Sequence, residues 1–184
     1  MFTGVSAPIE LKKLLVTPEP AELGPGPRAG VQTADSLARA LEASFRSSAL
    51  PVQRQALLRA LVLLWHDHLD AAHEIAQNIP DSDGAFVHGI MHRREPDYGN
   101  AKYWFRRVGK HRAFPELARR AGPLLENEPA RKLQPQLIPG GEWDAFAFVD
   151  ACERAARKPM ELANQMRELQ RVETAVLLDC FCDF

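Results

Sequence analysis

Five of the six histidines lie between Trp65 and Gly109, in a stretch that turn-forming residues divide into helices. Pro80 and the acidic residues after it form one predicted turn, and Pro96 with Gly99 marks the next. Between the turns, apolar residues recur at intervals of three and four, which is the period of an amphipathic helix. The stretch therefore predicts two helices joined by a turn, followed by a third, shorter helix.

The same period recurs along most of the chain. The predicted helices cover residues 34–47, 51–78, 83–95, 101–108, 114–125, 144–157 and 160–182. Their predicted N-caps include Thr33 or Asp35, Asp83, Asn100 and Asp144. We find no strand pattern, no repeat and no glycine-rich phosphate loop. The sequence predicts an all-α, single-domain helical bundle.

The first 30 residues differ from the rest because prolines and glycines interrupt them repeatedly. These residues are Pro8, Pro18, Pro20, Gly24, Pro25, Gly26, Pro27 and Gly30. They exclude a long helix and leave room for one short helical turn within residues 9–16. We predict an extended arm over residues 1–30 and a helical domain over residues 31–184.

Charge and hydropathy exclude several classes of partner. The formal net charge of −1 offers no overall field to attract nucleic acid. No apolar run approaches the roughly 20 residues that span a bilayer, and the N-terminus lacks a secretory signal pattern. We expect a cytoplasmic protein that binds neither nucleic acid nor membrane. A homo-oligomer formed through the last helix or the arm remains open.

Two narrow polar strips lie on the second and third predicted helices. They consist of His66, Asp70, His73 and Gln77 on one helix and His88, His92 and Glu95 on the other. If the helices pack antiparallel about a turn near Pro80, two residues whose numbers sum to about 161 lie opposite each other on the two helices. The resulting pairs are His73 with His88, Asp70 with His92, and His66 with Glu95. The strips therefore predict a polar pocket between the helices.

This cluster has three interpretations. In the first, His73, His88 and His92 bind a divalent metal together with Asp70, because imidazoles and a carboxylate suit zinc, iron or manganese. In the second, the same histidines act as general acid or base, oriented by Asp70 or Glu95. In the third, the cluster is a buried hydrogen-bond network that only fixes the helix pair.

The second interpretation also needs groups that hold a substrate. Arginine suits a carboxylate or phosphate group, and aromatic side chains can form the pocket wall. The candidate ligand-binding residues are Arg93, Arg94, Tyr103, Trp104 and Arg106. Lys102 and Arg107 lie beside them in sequence, and the whole group could instead form a solvated basic face.

The block HGIMHRREPDYGNAKYWFRRVG resembles a family of uncharacterised helical proteins. Asp70, His73 and Gln77 are similar to that family's Asp-x-x-His-x-x-x-Gln element, and residues 169–173 match its last helix more loosely. Since the family has no established activity, the resemblance implies only a boundary for the site. It favours Asp70, His73, His88, His92 and Glu95 over His66. This chain departs from the family's His-Pro pattern at His111, which leaves the role of His111 open.

These observations support two hypotheses about function. The first is a small-molecule-binding protein or enzyme that uses the His/Asp/Glu pocket, with a divalent metal as its expected cofactor. The second is a non-catalytic structural or interaction protein in which the cluster is a buried network. The sequence does not decide between a catalytic and a non-catalytic protein.

Overall fold

The computed structural model describes residues 8–48, 50–157 and 160–183, and every regular element in these ranges is helical. The α-helices are α1 (Ile9–Lys13), α2 (Ala34–Arg46), α3 (Val52–Trp65), α4 (Leu69–Ala76), α5 (Ser82–Arg94), α6 (Tyr98–Val108), α7 (Phe114–Ala121), α8 (Gln134–Leu137), α9 (Ala145–Ala155) and α10 (Met160–Cys182). Short 3-10 turns cover Gly122–Leu125, Ala130–Leu133 and Pro139–Gly141. The all-α prediction is confirmed.

Side-chain caps begin several of these helices, as expected for helix N-termini. Thr33 caps α2 and Asp144 caps α9, in agreement with the sequence. Two other predicted caps are wrong, because Asp81 instead of Asp83 caps α5 and Asp97 instead of Asn100 caps α6. Asp83 cannot cap, since its buried carboxylate bonds to Arg54 and His111.

A break separates α3 from α4, so the prediction of one continuous helix over residues 51–78 is wrong. Helix α3 ends at Trp65, and α4 starts at Leu69. Between them, Asp67 has a φ of 68°, in the left-handed region that ends helices. Its carboxylate lies 2.5 Å from Nη1 of Arg28 and 2.7 Å from Nη2 of Arg94. This ion-pair network stabilises the break.

The segment that precedes α2 lies against this break. The imidazole of His66 donates from Nε2 to the carbonyl oxygen of Leu14 at 2.7 Å and accepts at Nδ1 from the amide of Gln32 at 3.1 Å. Ala21 and Leu23 are buried in the same segment. The described part of the predicted arm therefore packs on the helices, whereas residues 1–7 lie outside the described residues.

Helix α5 is the central helix of the fold and is buried from residue 83 to residue 94. It packs against α3, α4 and α6. Arg93, on α5, lies 2.5 Å from the carboxylate of Glu173 on α10, and its guanidinium sits 4.5 Å from the ring of Phe148 on α9. Because both charges are fully buried, each depends on the other for stability.

The three cysteines, Cys152, Cys180 and Cys182, are free and buried. Burial raises the pKa of Cys152 to about 12, that of Cys180 to about 12 and that of Cys182 to about 11. These thiols stay protonated at neutral pH. Across the described ranges, every helix is too short or too polar to cross a membrane.

Replacing Asp67 with asparagine tests whether the ion pairs of Asp67 stabilise the break between α3 and α4. Asparagine tolerates the left-handed conformation, but it leaves the guanidinium groups of Arg28 and Arg94 buried without a counter-charge. We expect Asp67→Asn to lower the free energy of unfolding by about 3 to 5 kcal/mol in a urea titration. The control Asp35→Asn, at an exposed position of α2, should cost less than about 1 kcal/mol. Equal effects of the two variants would contradict a stabilising role for the network.

Candidate functional site

Three histidine side chains converge between α4 and α5. The ring centroids of His73 and His88 lie 4.7 Å apart, those of His88 and His92 lie 5.0 Å apart, and those of His73 and His92 lie 5.7 Å apart. One ring nitrogen of each histidine lies within 4.8 Å of those of the other two. The predicted register between His73 and His88 is therefore confirmed.

Helix geometry and two glycines explain this convergence. His88 and His92 are four residues apart, so they lie on one face of α5. A side chain at Gly84 would place Cβ 2.2 Å from the carbonyl oxygen of Ile79, so glycine is needed for the close turn between α4 and α5. A Cβ at Gly89 would lie 3.0 Å from the Phe105 ring, so glycine also allows α6 to approach α5 closely.

His88 is the most enclosed member of the cluster, with 3% of its surface exposed. Its ring stacks on that of Trp104 at a centroid distance of 3.8 Å. Burial, followed by the charges of His73, His92 and Arg107, lowers the pKa of His88 to about 4. Its Nδ1 atom is buried and has no hydrogen-bond partner among the described residues. His88 is thus a neutral imidazole at pH 7 with an unused nitrogen.

His92 is held by two polar neighbours. Its Nδ1 atom lies 3.1 Å from Oε2 of Glu95, and its Nε2 atom lies 3.1 Å from the side-chain nitrogen Nδ2 of Asn100. Burial lowers the pKa of His92, while the carboxylate of Glu95 acts in the opposite direction. When Nδ1–H donates to Glu95, the Nε2 atom carries the lone pair. This tautomer directs the basic nitrogen of His92 away from Glu95.

Two residues of the predicted strips do not join the cluster. Asp70 is exposed, and its carboxylate makes no hydrogen bond or ion pair within the described ranges, so the expected pairing with His92 is not formed. His66 contacts Leu14 and Gln32 instead of Glu95. The break at residue 67 explains the position of His66, because the register of a continuous helix does not extend across it. Asp70 lies on α4 with His73, so the break does not account for its exposed position.

Arg93 and Arg94 are not available to a ligand, which corrects their predicted role. Arg93 pairs with Glu173, and Arg94 pairs with Asp67 and donates to the carbonyl oxygen of Gly24. Both arginines are only 1% exposed. Their charges are neutralised inside the fold, so the two residues stabilise the structure.

The remaining predicted ligand-binding residues lie on α6. Trp104 forms one wall of the cluster through its stacking on His88. Tyr103 is exposed and contacts the edge of the Trp104 ring, with centroids 5.5 Å apart. Arg106 is exposed, whereas Arg107 places its guanidinium 4.8 Å from the Trp104 ring. The sequence grouped Arg107 with the basic residues that could hold an anionic substrate, and its spacing of three from Trp104 puts both residues on one helix face.

A second buried group contains Asp83, His111 and Cys180. Burial of Asp83 favours a higher pKa, but hydrogen bonds from His111 and Arg54 outweigh it and lower the pKa to about 2. His111 bonds to Asp83 through Nε2 at 2.7 Å and accepts from the amide of Ala113 at Nδ1. Both imidazole nitrogens are therefore occupied, and the thiol is protonated. This group suits a structural role better than metal binding.

Comparisons of the chain with protein-family models, with curated proteins and with solved structures found no match. The fold and the site define an all-helical protein with a three-histidine cluster at the edge of its central helix. The similarity of its central block to a helical family stays an expectation from the sequence.

The pKa of His88 predicts a pH dependence that a His88→Phe variant should reduce. Between pH 6.5 and 4 the unfolded chain binds a proton at this position and the folded chain does not, so stability falls as the pH falls. We expect metal-free protein to lose about 3 kcal/mol from His88 between pH 7 and pH 4. Phenylalanine keeps a ring against Trp104 but cannot titrate.

Urea unfolding in the presence of a chelator measures this effect. As the pH falls from 7 to 4, the free energy of unfolding should decrease less for His88→Phe than for the unmodified protein. A difference that is constant over this range would show that the folded protein does not disfavour protonation of His88.

Proposed function

We propose that this protein is a metal-dependent enzyme or binding protein for a small molecule, with His73, His88 and His92 as the metal ligands. The observation that supports this proposal is that one ring nitrogen of each histidine lies within 4.8 Å of those of the other two, while the buried Nδ1 atom of His88 has no partner among the described residues. Buried polar atoms without a partner are rare in folded proteins, and a bound ion can satisfy such an atom.

The donor set favours a transition metal. Three neutral imidazoles suit zinc, and they also suit iron or manganese when a carboxylate or water completes the shell. Metal binding requires unprotonated histidine, and the low pKa values of His88 and His92 keep this form at neutral pH.

Glu95 supports the proposal because a metal-bound histidine commonly donates its second N–H to a carboxylate. The contact between Glu95 and Nδ1 of His92 has this form and leaves Nε2 for the metal. Asn100, which lies beside Nε2, would then be close to the metal and can donate a hydrogen bond to a fourth ligand. Glu95 and Asn100 would thus orient the metal ligands without binding the metal themselves.

A shell of three protein ligands leaves one coordination position open, which is typical of catalytic sites and not of structural zinc sites. A metal bound in this way supplies a water molecule that loses its proton near neutral pH. Trp104 excludes solvent from one side of His88, and Glu95, with a partly exposed side chain, keeps His92 in the required tautomer. We retain a cytoplasmic location and a small-molecule ligand as parts of this proposal.

One observation favours the alternative of a structural network. Both ring nitrogens of His92 have protein partners, Glu95 and Asn100, so this histidine is satisfied without a metal. A purely structural cluster would lose stability when His92 is replaced, by about 1 to 3 kcal/mol. It would show no metal affinity, which separates the two functions.

Zinc titration of chelator-treated protein without an affinity tag tests the metal site. We expect one zinc ion per chain, measured by calorimetry and elemental analysis. Separate replacements of His73, His88 and His92 by alanine should each abolish this binding. The control His68→Gln should retain it, because His68 lies outside the cluster and bonds to the carbonyl oxygen of Gln32. Zinc that is lost in Cys180→Ser but retained in His88→Ala would contradict the assignment.

Glu95→Gln tests the role of the carboxylate. We expect zinc affinity to fall by about 10- to 100-fold, because the amide holds the His92 tautomer less strongly than a carboxylate does. Asp70→Asn is the matched control on α4 and should leave the affinity unchanged. A loss of affinity in Asp70→Asn as large as that in Glu95→Gln would instead place Asp70 among the metal ligands, as the sequence suggested.

A further inference from the structure

Arg107 differs from Arg93 and Arg94 in its exposure, and from the neighbouring Arg106 in its contact with the Trp104 ring. The guanidinium groups of Arg93 and Arg94 are buried in ion pairs, whereas Arg107 is exposed. Within the described part of the chain, Arg107 has no carboxylate partner. Its positive charge is therefore available to a ligand from solvent.

The position of Arg107 relates it to the histidine cluster. Its guanidinium lies 4.8 Å from the Trp104 ring, and that ring stacks on His88 at 3.8 Å. The charge of Arg107 is close enough to contribute to the low pKa of His88. Stacking on an aromatic face also limits the rotamers of an exposed arginine, which lowers the entropy lost when it binds an anion.

The charges around the proposed metal also favour an anion. Three neutral imidazoles leave the whole charge of a divalent ion uncompensated, unlike thiolate or carboxylate ligands. Glu95 and Asp97 each supply one negative charge near His92, and Arg107 supplies a further positive one. Lys102 changes this balance little, because it lies 2.5 Å from the carboxylate of Asp150. With a divalent metal bound, the site would therefore be positively charged at its open coordination position.

We infer that the ligand of this site is a small oxyanion, a carboxylate or phosphate group, which binds the metal through one oxygen and Arg107 through another. This inference rests on the proposed function, since it needs the metal. The planar guanidinium suits either group, because both present two acceptor oxygens to its parallel N–H donors. Arg107 takes the substrate-holding role that the sequence assigned to Arg93, Arg94 and Arg106.

Cobalt(II) provides a direct test, because its visible spectrum reports changes in its ligands. The full chain is loaded with cobalt and titrated separately with inorganic phosphate and with acetate. We expect at least one of these anions to change the spectrum in a saturable way. In Arg107→Met the anion should bind about tenfold more weakly, as loss of a charged hydrogen bond predicts. Arg107→Lys should bind with intermediate affinity, because it keeps the charge but loses the planar fork.

Arg106→Met is the matched control, since Arg106 is the neighbouring residue, is exposed and carries the same charge. Its anion affinity should stay within about twofold of the unmodified protein, because long-range surface charge is screened by salt. A response to phosphate alone assigns a phosphate-bearing ligand, and a response to acetate alone assigns a carboxylate. Cobalt binding with no anion response, or equal losses in Arg107→Met and Arg106→Met, overturns the inference while the metal site stands. Failure of cobalt to bind overturns both.

Discussion

The packing of the helices depends on the ion pairs that the buried carboxylate of Asp67 forms. It neutralises Arg28, from the segment before α2, and Arg94, at the end of α5, while its own backbone ends α3. The chain then restarts as α4 and brings His73 against His88. A buried ion pair contributes little net stability when it forms, but loss of one partner is costly. The histidine cluster therefore depends on charges that do not touch it.

Much of the fold could be predicted from periodicity and caps. The ends of α5 and α6 agree with turn residues in the sequence, since Pro96 and Gly109 stop helices for reasons that are local to the backbone. The break after Trp65 could not be predicted in this way. No proline or glycine lies in residues 66–68, and the left-handed conformation of Asp67 depends on ion pairs with residues that are far away in the sequence.

The site was predictable where it depends on spacing within one helix and unpredictable where it depends on the direction of a charged side chain. His88 and His92 lie together because they are four residues apart, and Glu95 reaches His92 because it is three residues further along the chain. The four arginines of the block have the same charge in the sequence. Arg93 and Arg94 point into the core toward Glu173 and Asp67, whereas Arg107 lies over Trp104. Tertiary contacts alone distinguish these roles.

The central claim is that three imidazoles on α4 and α5 form the shell of a metal with one open position. X-ray absorption at the zinc edge of zinc-loaded protein tests this shell most directly. The account predicts three imidazole nitrogens at about 2.0 to 2.1 Å and one further light atom, with no sulfur in the shell. A sulfur neighbour at about 2.3 Å would move the metal to the group that contains Cys180. That result, or a shell without imidazole, would contradict the account.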